Sequence, residues 1–357
     1  MSSNTIIPSS MKALVYSKPE HFEVKPIPVP ELKDDEVLVK IAACGVCGTD
    51  FHYHKGEFMA KYPLIPGHEA AGTVVALGSS VKSFQIGDRV AADPMHPCGS
   101  CFHCQRTQPL MCENLTGYGG NAPGGFAEYC AYPSHLLHNI GDIPFRQAIL
   151  IEPAACALHG MERMSPRPGS RALLFGCGPT GILLAQLMRM NGVAHLTIAS
   201  LPGPKLDMAR ELAIADDFVP ISPADVREAM ASLLAANPYG FDIVVEATGS
   251  VAVLEQSILF VRKAGTLVVY GVYDEKAKVG WSPSRLWTYE ITVLASFCST
   301  RKFPEVLEYV KAGRLKLDGI VTDTFRLEEW GEVLGKVERQ EVVKGAIVFE
   351  RPDPKQA

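Results

Sequence analysis

Residues 171–181 read RALLFGCGPTG and decide the fold of the second half of the chain. The apolar run RALLF predicts a buried strand, and PTGILLAQLMRMNG, which begins with proline and ends at glycine, predicts the helix that follows. Glycines between a strand and a helix N-terminus let backbone N–H groups approach a pyrophosphate. An ordinary tight turn is the alternative. The strand–turn–helix context favours a dinucleotide loop made of Gly176, Gly178, Pro179, Thr180 and Gly181.

Strands and helices alternate outward from this loop. AHLTIAS, FDIVVEATG, GTLVVYG and ITVLAS are apolar runs of strand length, and KLDMARELA has the pattern of a helix. Continuous apolar strands that alternate with helices are typical of a doubly wound parallel sheet. We therefore expect an α/β fold, with a dinucleotide-binding domain over residues 153–294.

The part of the chain before this domain is rich in short strands. MKALVY, EVLVKIAAC and AGTVVALG are divided by Gly, Pro and Asp turns, a spacing that suits a small barrel-like domain carrying loops. After residue 295 the pattern loosens to a helix, FPEVLEYVKAG, and a final strand, KGAIVFE. We predict that this strand returns to the first domain, which then comprises residues 1–152 and 295–357.

Four cysteines stand close together in the run PCGSCFHCQRTQPLMC. Thiolates are soft ligands that suit Zn²⁺, and four of them close a tetrahedral shell that leaves no position for substrate. Free or disulfide-bonded cysteines are the alternative, but C-x₂-C spacing without a secretory signature favours metal. The sequence predicts a structural zinc site formed by Cys98, Cys101, Cys104 and Cys112.

A second set of candidate ligands lies in CGVCGTDFHY, in GHE and at Glu152. A thiolate, an imidazole and one or two carboxylates can hold Zn²⁺ and leave a position open for water or substrate. Each residue also has an ordinary alternative. Cys44 or Cys47 can be a buried small hydrophobe, and His68 can be a core histidine. Glu152 can be an acidic residue favoured at a helix N-terminus.

The end of the second strand after residue 170 bears on the choice between NAD and NADP. An acidic residue is expected about 20 positions after the glycines, where it binds the ribose 2′-hydroxyl. The strand ends instead at Ser200, followed by LPGPK, so the carboxylate that would repel a 2′-phosphate is absent. Ser200 can donate a hydrogen bond and Lys205 a positive charge, although Lys205 can also be a solvated lysine. We expect NADP to be favoured over NAD, with dual use as the alternative.

The composition excludes several classes of function. The chain has 357 residues, is 47% hydrophobic and 20% charged, and carries a net charge of −5, as a globular enzyme does. Without a block of Lys or Arg, nothing points to nucleic acid or an acidic membrane as a partner. The chain has neither a secretory signal pattern nor an apolar run long enough to span a bilayer. Its ten cysteines favour a reducing compartment, which we expect to be the cytoplasm.

Together these motifs resemble the zinc-containing medium-chain dehydrogenase/reductase family. CGTD, GHEAAGTVVALG, GDRVA, the four-cysteine run, GGFAEY and GCGPTG occur in the family's order along nearly the whole chain. The resemblance implies a β-rich GroES-like catalytic domain, a Rossmann domain and two Zn²⁺ ions per chain, one catalytic and one structural. It also implies a homodimer or homotetramer.

The resemblance assigns roles to residues of the second set. Cys47 and His68 are the implied ligands of the catalytic zinc, and Cys44 is a buried neighbour. Glu69 matches a glutamate that ligates the zinc or lies just behind it, and Asp50 matches a carboxylate that orients His68.

Further positions match the proton relay and a branch of the family. Thr49 and His52 match the hydroxyl and imidazole that relay the substrate proton to solvent. Simple alcohol dehydrogenases often place a ligand cysteine where this chain has Glu152, whereas polyol dehydrogenases place a glutamate that touches the zinc or its bound water. CGTDFHY, with Tyr53, is also similar to the polyol branch. Whether Glu69 or Glu152 ligates the zinc directly stays open.

One stretch departs from part of that branch. Animal sorbitol dehydrogenases carry an Arg-Tyr pair where this chain has Cys298 and Ser299. The departure argues against sorbitol itself, and SFCSTRKFP is more similar to pentitol dehydrogenases of the arabinitol type.

The resemblance thus implies a zinc-dependent oxidoreductase that transfers a hydride between a polyol and NAD(P), giving a ketose. The expected substrate is a small molecule, a pentitol such as D-arabinitol or xylitol, or a hexitol. Zinc lowers the pKa of the hydroxyl, and Thr49 takes the proton and passes it through the ribose hydroxyls to His52. One alternative is a zinc dehydrogenase for butanediol, threonine or a simple alcohol. Another is a non-catalytic nucleotide-binding scaffold.

Overall fold

The computed structural model describes residues 6–222, 224 and 226–349. The chain forms two compact units, Met1–Glu152 together with Ser299–Ala357, and Pro153–Cys298. The second unit ends at residue 298, whereas the sequence predicts this boundary at residue 294. Residues 1–5 and 350–357 of the predicted first domain lie outside the described residues.

The strands and helices are numbered here in chain order. The strands are β1 (Ser10–Lys18), β2 (His21–Pro28), β3 (Glu36–Gly45), β4 (Glu69–Leu77), β5 (Arg89–Ala92), β6 (Met95–His96), β7 (Thr116–Gly117), β8 (Tyr129–Pro133), β9 (Leu137–Asn139), β10 (Ser170–Phe175), β11 (Val193–Ser200), β12 (Asp217–Pro220), β13 (Phe241–Glu246), β14 (Val261–Val269), β15 (Thr292–Ala295), β16 (Asp323–Phe325) and β17 (Gly345–Val348). The helices are α1 (Gly48–Lys55), α2 (Phe145–Ala148), α3 (Ile151–Met164), α4 (Pro179–Met190), α5 (Pro204–Glu211), α6 (Val226–Ala236), α7 (Val251–Ser257), α8 (Pro283–Tyr289), α9 (Phe303–Lys311) and α10 (Trp330–Glu338).

The first unit is built around a mainly antiparallel sheet. Within the described residues its strands run in the order β16-β17-β3-β4-β5-β9, and β8 also pairs with β3. Strand β3 is buried along most of its length on both faces, which explains why EVLVKIAAC reads as a nearly continuous apolar run. Its side chains join a core that includes Phe126 and Trp330. The predicted β-rich, GroES-like fold of this part of the chain is confirmed.

The end of the described chain belongs to the same sheet. Strand β17 pairs antiparallel with β3, with Ile347 opposite Cys44, and β16 lies parallel to β17. Helix α10 lies between these two strands in sequence and buries Trp330 and Val333 in the core of the first unit. A segment about 300 residues distant in sequence therefore borders the strand that leads to CGTD.

The second unit contains the predicted doubly wound parallel sheet. Its strands run in the order β12-β11-β10-β13-β14-β15, and every neighbouring pair in this order is parallel. The sequence order reverses between β10 and β13, which are neighbours in space. Ligands of such sheets bind outside the carboxyl ends of the strands at this reversal, and β10 ends at the predicted glycine loop. Among the described helices, none has both the length and the apolar character needed to cross a bilayer.

Candidate metal centres and cofactor site

The first candidate metal centre lies where two antiparallel strands meet. Gly45, the last residue of β3, is paired with Glu69, the first residue of β4. Cys47 follows β3 and precedes α1, and His68 immediately precedes β4. One ligand atom each of Cys47, His68 and Glu69 lies within 4.8 Å of the others. The strand register thus brings together two motifs that are 21 residues apart in the sequence.

A buried carboxylate lies behind His68. Asp50 is 1% exposed, and its Oδ1 lies 3.6 Å from His68 Nδ1. Its Oδ2 accepts a hydrogen bond of 2.9 Å from the backbone N–H of Cys47. Burial alone would lower the pKa of His68, but Asp50 and Cys47 raise it well above its ordinary value. The negative charges of Asp50 and Cys47 therefore favour a positive charge at His68. Because Nδ1 of His68 faces Asp50, Nε2 is the ring nitrogen that remains for a metal.

The soft and borderline donors of this group fit Zn²⁺. Asp50 Oδ1 and His68 Nδ1 are both buried, and neither atom forms a hydrogen bond. A thiolate and an imidazole with a nearby carboxylate are typical zinc ligands. Cys44 is fully buried and is not part of the group, which agrees with its expected place as a neighbour.

Glu69 has a buried partner that sequence reasoning missed. Lys344 Nζ donates a hydrogen bond of 2.6 Å to Glu69 Oε1 and also contacts Oε2. The two side chains are 4% and 0% exposed. Burial lowers the pKa of Lys344, but the charge and hydrogen bond of Glu69, with smaller contributions from other nearby acidic groups, together raise it above its ordinary value. The one available signal was a lysine directly before the apolar run GAIVF.

Glu152 lies near this ion pair but outside the metal-ligand group. It is in the first turn of α3 and is 9% exposed. Its charge contributes to the raised pKa of Lys344, together with the charges of Glu69 and Cys47. The structure thus brings together Cys47, His68 and Glu69 of the four predicted residues of the catalytic centre, and Glu152 is their electrostatic neighbour.

Helix α1 carries the predicted relay residues. Thr49 Oγ1 lies 3.7 Å from Cys47 Sγ, so the hydroxyl is beside a candidate metal ligand. His52 is three residues further on the same helix, and residues at this spacing share a helix face. The side chain of His52 is 24% exposed, and its Nδ1 lies 3.0 Å from Glu57 Oε2. Sequence reasoning missed Glu57.

The second candidate metal centre is the four-cysteine loop. One sulfur each of Cys98, Cys101, Cys104 and Cys112 lies within 4.8 Å of the others. Backbone N–H groups of Cys98 and Asn114 each donate to Cys112 Sγ at 3.3 Å. Hydrogen bonds from the backbone N–H groups of Ser100 and Cys101 lower the pKa of Cys98 to about 6. Burial and the neighbouring Cys101 raise the pKa of Cys104 to about 12, so a bound cation would be needed to hold all four sulfurs as thiolates.

The glycine loop has the geometry of a pyrophosphate site. Gly176 has a φ of 95°, and a Cβ there would lie 2.9 Å from Thr248 Cγ2. A Cβ on Gly181 would lie 2.5 Å from the carbonyl oxygen of Gly176. A Cβ on Gly178 would meet no atom within 4 Å, so this residue faces open space directly before α4, which begins Pro179-Thr180. Two glycines thus permit close packing, and the third leaves room for a ligand at the helix N-terminus.

Ser200 and Lys205 both lie near Cys177, which is part of the glycine loop. Burial raises the pKa of the Cys177 thiol, whereas the hydrogen bond from Ser200 and the charge of Lys205 lower it. Lys205 is in the first turn of α5, and burial lowers its pKa. The lysine is therefore partly desolvated beside the glycine loop, and the interpretation of Lys205 as a freely solvated lysine does not fit this environment.

Comparisons with known proteins agree with both halves of the chain. Residues 33–142 match the family described as Alcohol dehydrogenase GroES-like domain, and residues 179–312 match Zinc-binding dehydrogenase. A D-arabinitol dehydrogenase 1 of Uromyces fabae is 44% identical over 96% of this chain and 98% of its own length. A D-altritol 5-dehydrogenase of Agrobacterium fabrum is 33% identical over 85% of this chain and 89% of its own.

Solved structures show the same fold. A zinc-binding dehydrogenase of Sinorhizobium meliloti, crystallised with NADP, aligns with a TM-score of 0.89 and 32% identity. The alignment covers 96% of this chain and 100% of that one. These matches agree with the strand–helix order, the glycine loop and the two groups of candidate metal ligands. The chain belongs to the zinc-containing medium-chain dehydrogenase/reductase family of zinc- and NAD(P)-dependent oxidoreductases, and its relatives place it in the polyol-dehydrogenase branch.

Proposed function

We propose that the protein oxidises a secondary hydroxyl of a polyol to a ketose, with a pentitol such as D-arabinitol or xylitol as the substrate. The observation that carries the proposal is the Cys47–His68–Glu69 group with Thr49 beside it. Its support is the 44% identity to a D-arabinitol dehydrogenase and the glutamate, Glu152, at the position that distinguishes polyol dehydrogenases.

The residues of the first unit suit proton transfer from such a hydroxyl. Cys47 and His68 would hold a zinc ion, which would supply Lewis acidity at this position. Thr49, 3.7 Å from Cys47 Sγ, accepts the hydroxyl proton and His52 releases it to solvent. Glu69, paired with Lys344, keeps a negative charge behind the centre, and Glu152 adds a second one nearby. A nicotinamide cofactor bound at the glycine loop would supply the hydride acceptor.

We propose two zinc ions per chain. The catalytic one would be held by residues of the Cys47–His68–Glu69 group, which offers a thiolate, an imidazole and a carboxylate. The structural one would be held by the sulfurs of the four-cysteine loop. A closed shell contributes to folding and leaves no position for a substrate.

We propose NADP as the preferred cofactor. Ser200 stands where an NAD-dependent enzyme usually has a carboxylate, and Lys205 is a partly desolvated cation beside the glycine loop. Lysine contributes a point charge and not a bidentate fork, so the preference is modest. A charge-assisted contact of about 1.5–3 kcal/mol corresponds to roughly tenfold to a hundredfold. The 32%-identical dehydrogenase crystallised with NADP supports this choice.

We further propose a homodimer or homotetramer in the cytoplasm. Strand β15 is an edge strand of the second sheet, and its Val293 is 44% exposed, while Trp287 on α8 is 81% exposed. Exposed edge strands pair readily with another chain. Light scattering of the wild type and of Val293→Lys tests this, and a monomeric wild type contradicts it. The ten cysteines, in a chain with a four-cysteine metal pattern, favour a reducing compartment.

The deciding experiment for the activity is a panel of substrates with zinc-loaded enzyme. D-arabinitol, xylitol, sorbitol, 2,3-butanediol, threonine and ethanol are each tested with NAD and with NADP, and Cys47→Ala is the matched control. The highest kcat/KM on a pentitol is the expected result. Preference for butanediol, threonine or ethanol would place the enzyme in another branch, and no turnover on any alcohol would indicate a nucleotide-binding scaffold.

A further inference from the structure

We propose that Glu57 is a positioning residue for His52, the relay histidine, and that it fixes which imidazole nitrogen is free to exchange a proton. The inference rests on the proton relay of the proposed function. Glu57 Oε2 lies 3.0 Å from His52 Nδ1. An ionised carboxylate can only accept a hydrogen bond, so the hydrogen is on Nδ1 and the neutral ring keeps Nε2 as its free acceptor.

The end of helix α1 brings the carboxylate to the ring. The backbone N–H of Glu57 donates to the carbonyl of His52 at 3.0 Å, and that of Gly56 donates to the carbonyl of Tyr53 at 3.2 Å. This pair of bonds is a Schellman cap, and Gly56 has the left-handed φ of 73° that such a cap requires. A Cβ on Gly56 would also lie 2.7 Å from Pro19 Cγ. The cap thus folds Glu57 back over the residue whose ring its side chain contacts.

The rest of α1 is held independently. His54 Nδ1 is hydrogen-bonded to Tyr16 OH at 3.0 Å, and Tyr16 OH accepts from the buried Trp330 Nε1 at 2.6 Å. The helix backbone is therefore anchored on the core of the first unit. The freedom left to His52 is rotation of its side chain, and this is the freedom that the contact with Glu57 restricts.

The partial exposure of both side chains limits what the contact does for stability. The His52 and Glu57 side chains are 24% and 38% exposed, and exposed ion pairs contribute little to folding. A substitution of Glu57 is therefore expected to leave the fold intact and to act on the relay. Glu57→Met removes the acceptor at similar size, whereas Glu57→Gln keeps an acceptor oxygen in nearly the same place.

The test is a double-mutant cycle in zinc-loaded enzyme with D-arabinitol. We expect Glu57→Met to lower kcat about fivefold to tenfold, less than the ~10²–10⁴-fold of a complete acid–base group. Glu57→Gln is expected to stay within about twofold of the wild type, because it keeps an acceptor oxygen in nearly the same place. In the His52→Gln background, Glu57→Met is expected to have no further effect, because the two residues act as one unit. Glu20→Met is the matched control, since Glu20 pairs with Lys55 of the same helix at 3.3 Å and does not contact His52.

A second readout does not depend on turnover. With ¹⁵N-labelled histidine, the neutral ring of His52 is expected to be the Nδ1–H tautomer in the wild type and in Glu57→Gln, and a mixture of tautomers in Glu57→Met. A dominant Nε2–H tautomer in the wild type would overturn the proposal. So would equal losses of kcat by Glu57→Met in the wild-type and His52→Gln backgrounds. If His52→Gln kept the wild-type kcat, both the relay and the role of Glu57 would be overturned. If His52→Gln lowered kcat but Glu57→Met did not, only the role of Glu57 would be overturned.

Discussion

Removal of Lys344 should leave a buried charge without its partner. In Lys344→Met the side-chain volume is nearly kept, but Glu69, which is fully buried, loses the ammonium that lies 2.6 Å from its Oε1. At an effective dielectric constant of 20, two unit charges at this distance attract each other by about 6 kcal/mol. Burying the lysine opposes part of this attraction, and breaking a buried pair by removing one partner typically costs about 3–5 kcal/mol.

The assay is urea unfolding of metal-free and zinc-loaded protein. For an m value of about 2–3 kcal/mol/M, the metal-free Lys344→Met variant should unfold at about 1–2.5 M less urea than the wild type. Zinc-loaded Lys344→Met should lose less, because a bound cation near Glu69 compensates part of its charge. The double variant Lys344→Met/Glu69→Gln should recover most of the loss, since no uncompensated charge then remains.

Two results would refute this reasoning. One is a metal-free Lys344→Met protein with the same urea midpoint as the wild type, which would mean that Glu69 is not a buried carboxylate dependent on this lysine. The other is a double variant as unstable as Lys344→Met alone, which would mean that lost packing of the lysine stem, and not the unpaired charge, causes the destabilisation.

The remaining predictions concern metals, cofactor and pH. Cys47→Ala should retain one zinc by metal analysis and lose activity with folding intact, whereas Cys101→Ser should lower the urea midpoint, because a closed site contributes to folding; full activity in Cys47→Ala would contradict the ligand assignment. From kcat/KM with both cofactors, Ser200→Asp should reverse the preference towards NAD and Lys205→Ala should weaken NADP more than NAD; a wild-type preference for NAD would reject the argument. Burial lowers the pKa of His138 from 6.5 to about 4, so the unfolded chain binds the proton more strongly, and stability present above pH 6.5 is lost as the pH falls through 4. His138→Phe should therefore remove about 2 kcal/mol of the stability lost between pH 7 and pH 4.5, measured from urea midpoints at the two pH values, and an unchanged difference would show that this histidine is not the cause.

Several features of the protein could be predicted because their causes are local. The glycine loop needs only a strand, a helix start and three glycines at fixed spacing, all within residues 171–181. The four cysteines of the structural site lie within 15 consecutive positions, so one short loop can bring their sulfurs together. The absence of a carboxylate at Ser200 is likewise visible as soon as the strand is recognised. Resemblance to a known family then supplied the roles of Cys47, His68 and Thr49, which spacing alone left open.

Only the tertiary structure decided which side chains contact one another when the local sequence does not determine that contact. Lys344 reaches Glu69 across 275 positions, because β17 pairs with β3 and places the residue before β17 beside the start of β4. No local propensity encodes that pairing, since it depends on the free energy of the whole first unit offsetting the entropy of closing so long a loop. Glu57 is close to His52 in sequence, yet its role depends on a helix that ends at Gly56 with a left-handed residue and turns the carboxylate back onto the ring. Sequence by itself therefore determined which chemistry the chain can carry out, and tertiary structure decided which charges surround it, because electrostatic effects act through distance in space and not through position in the chain.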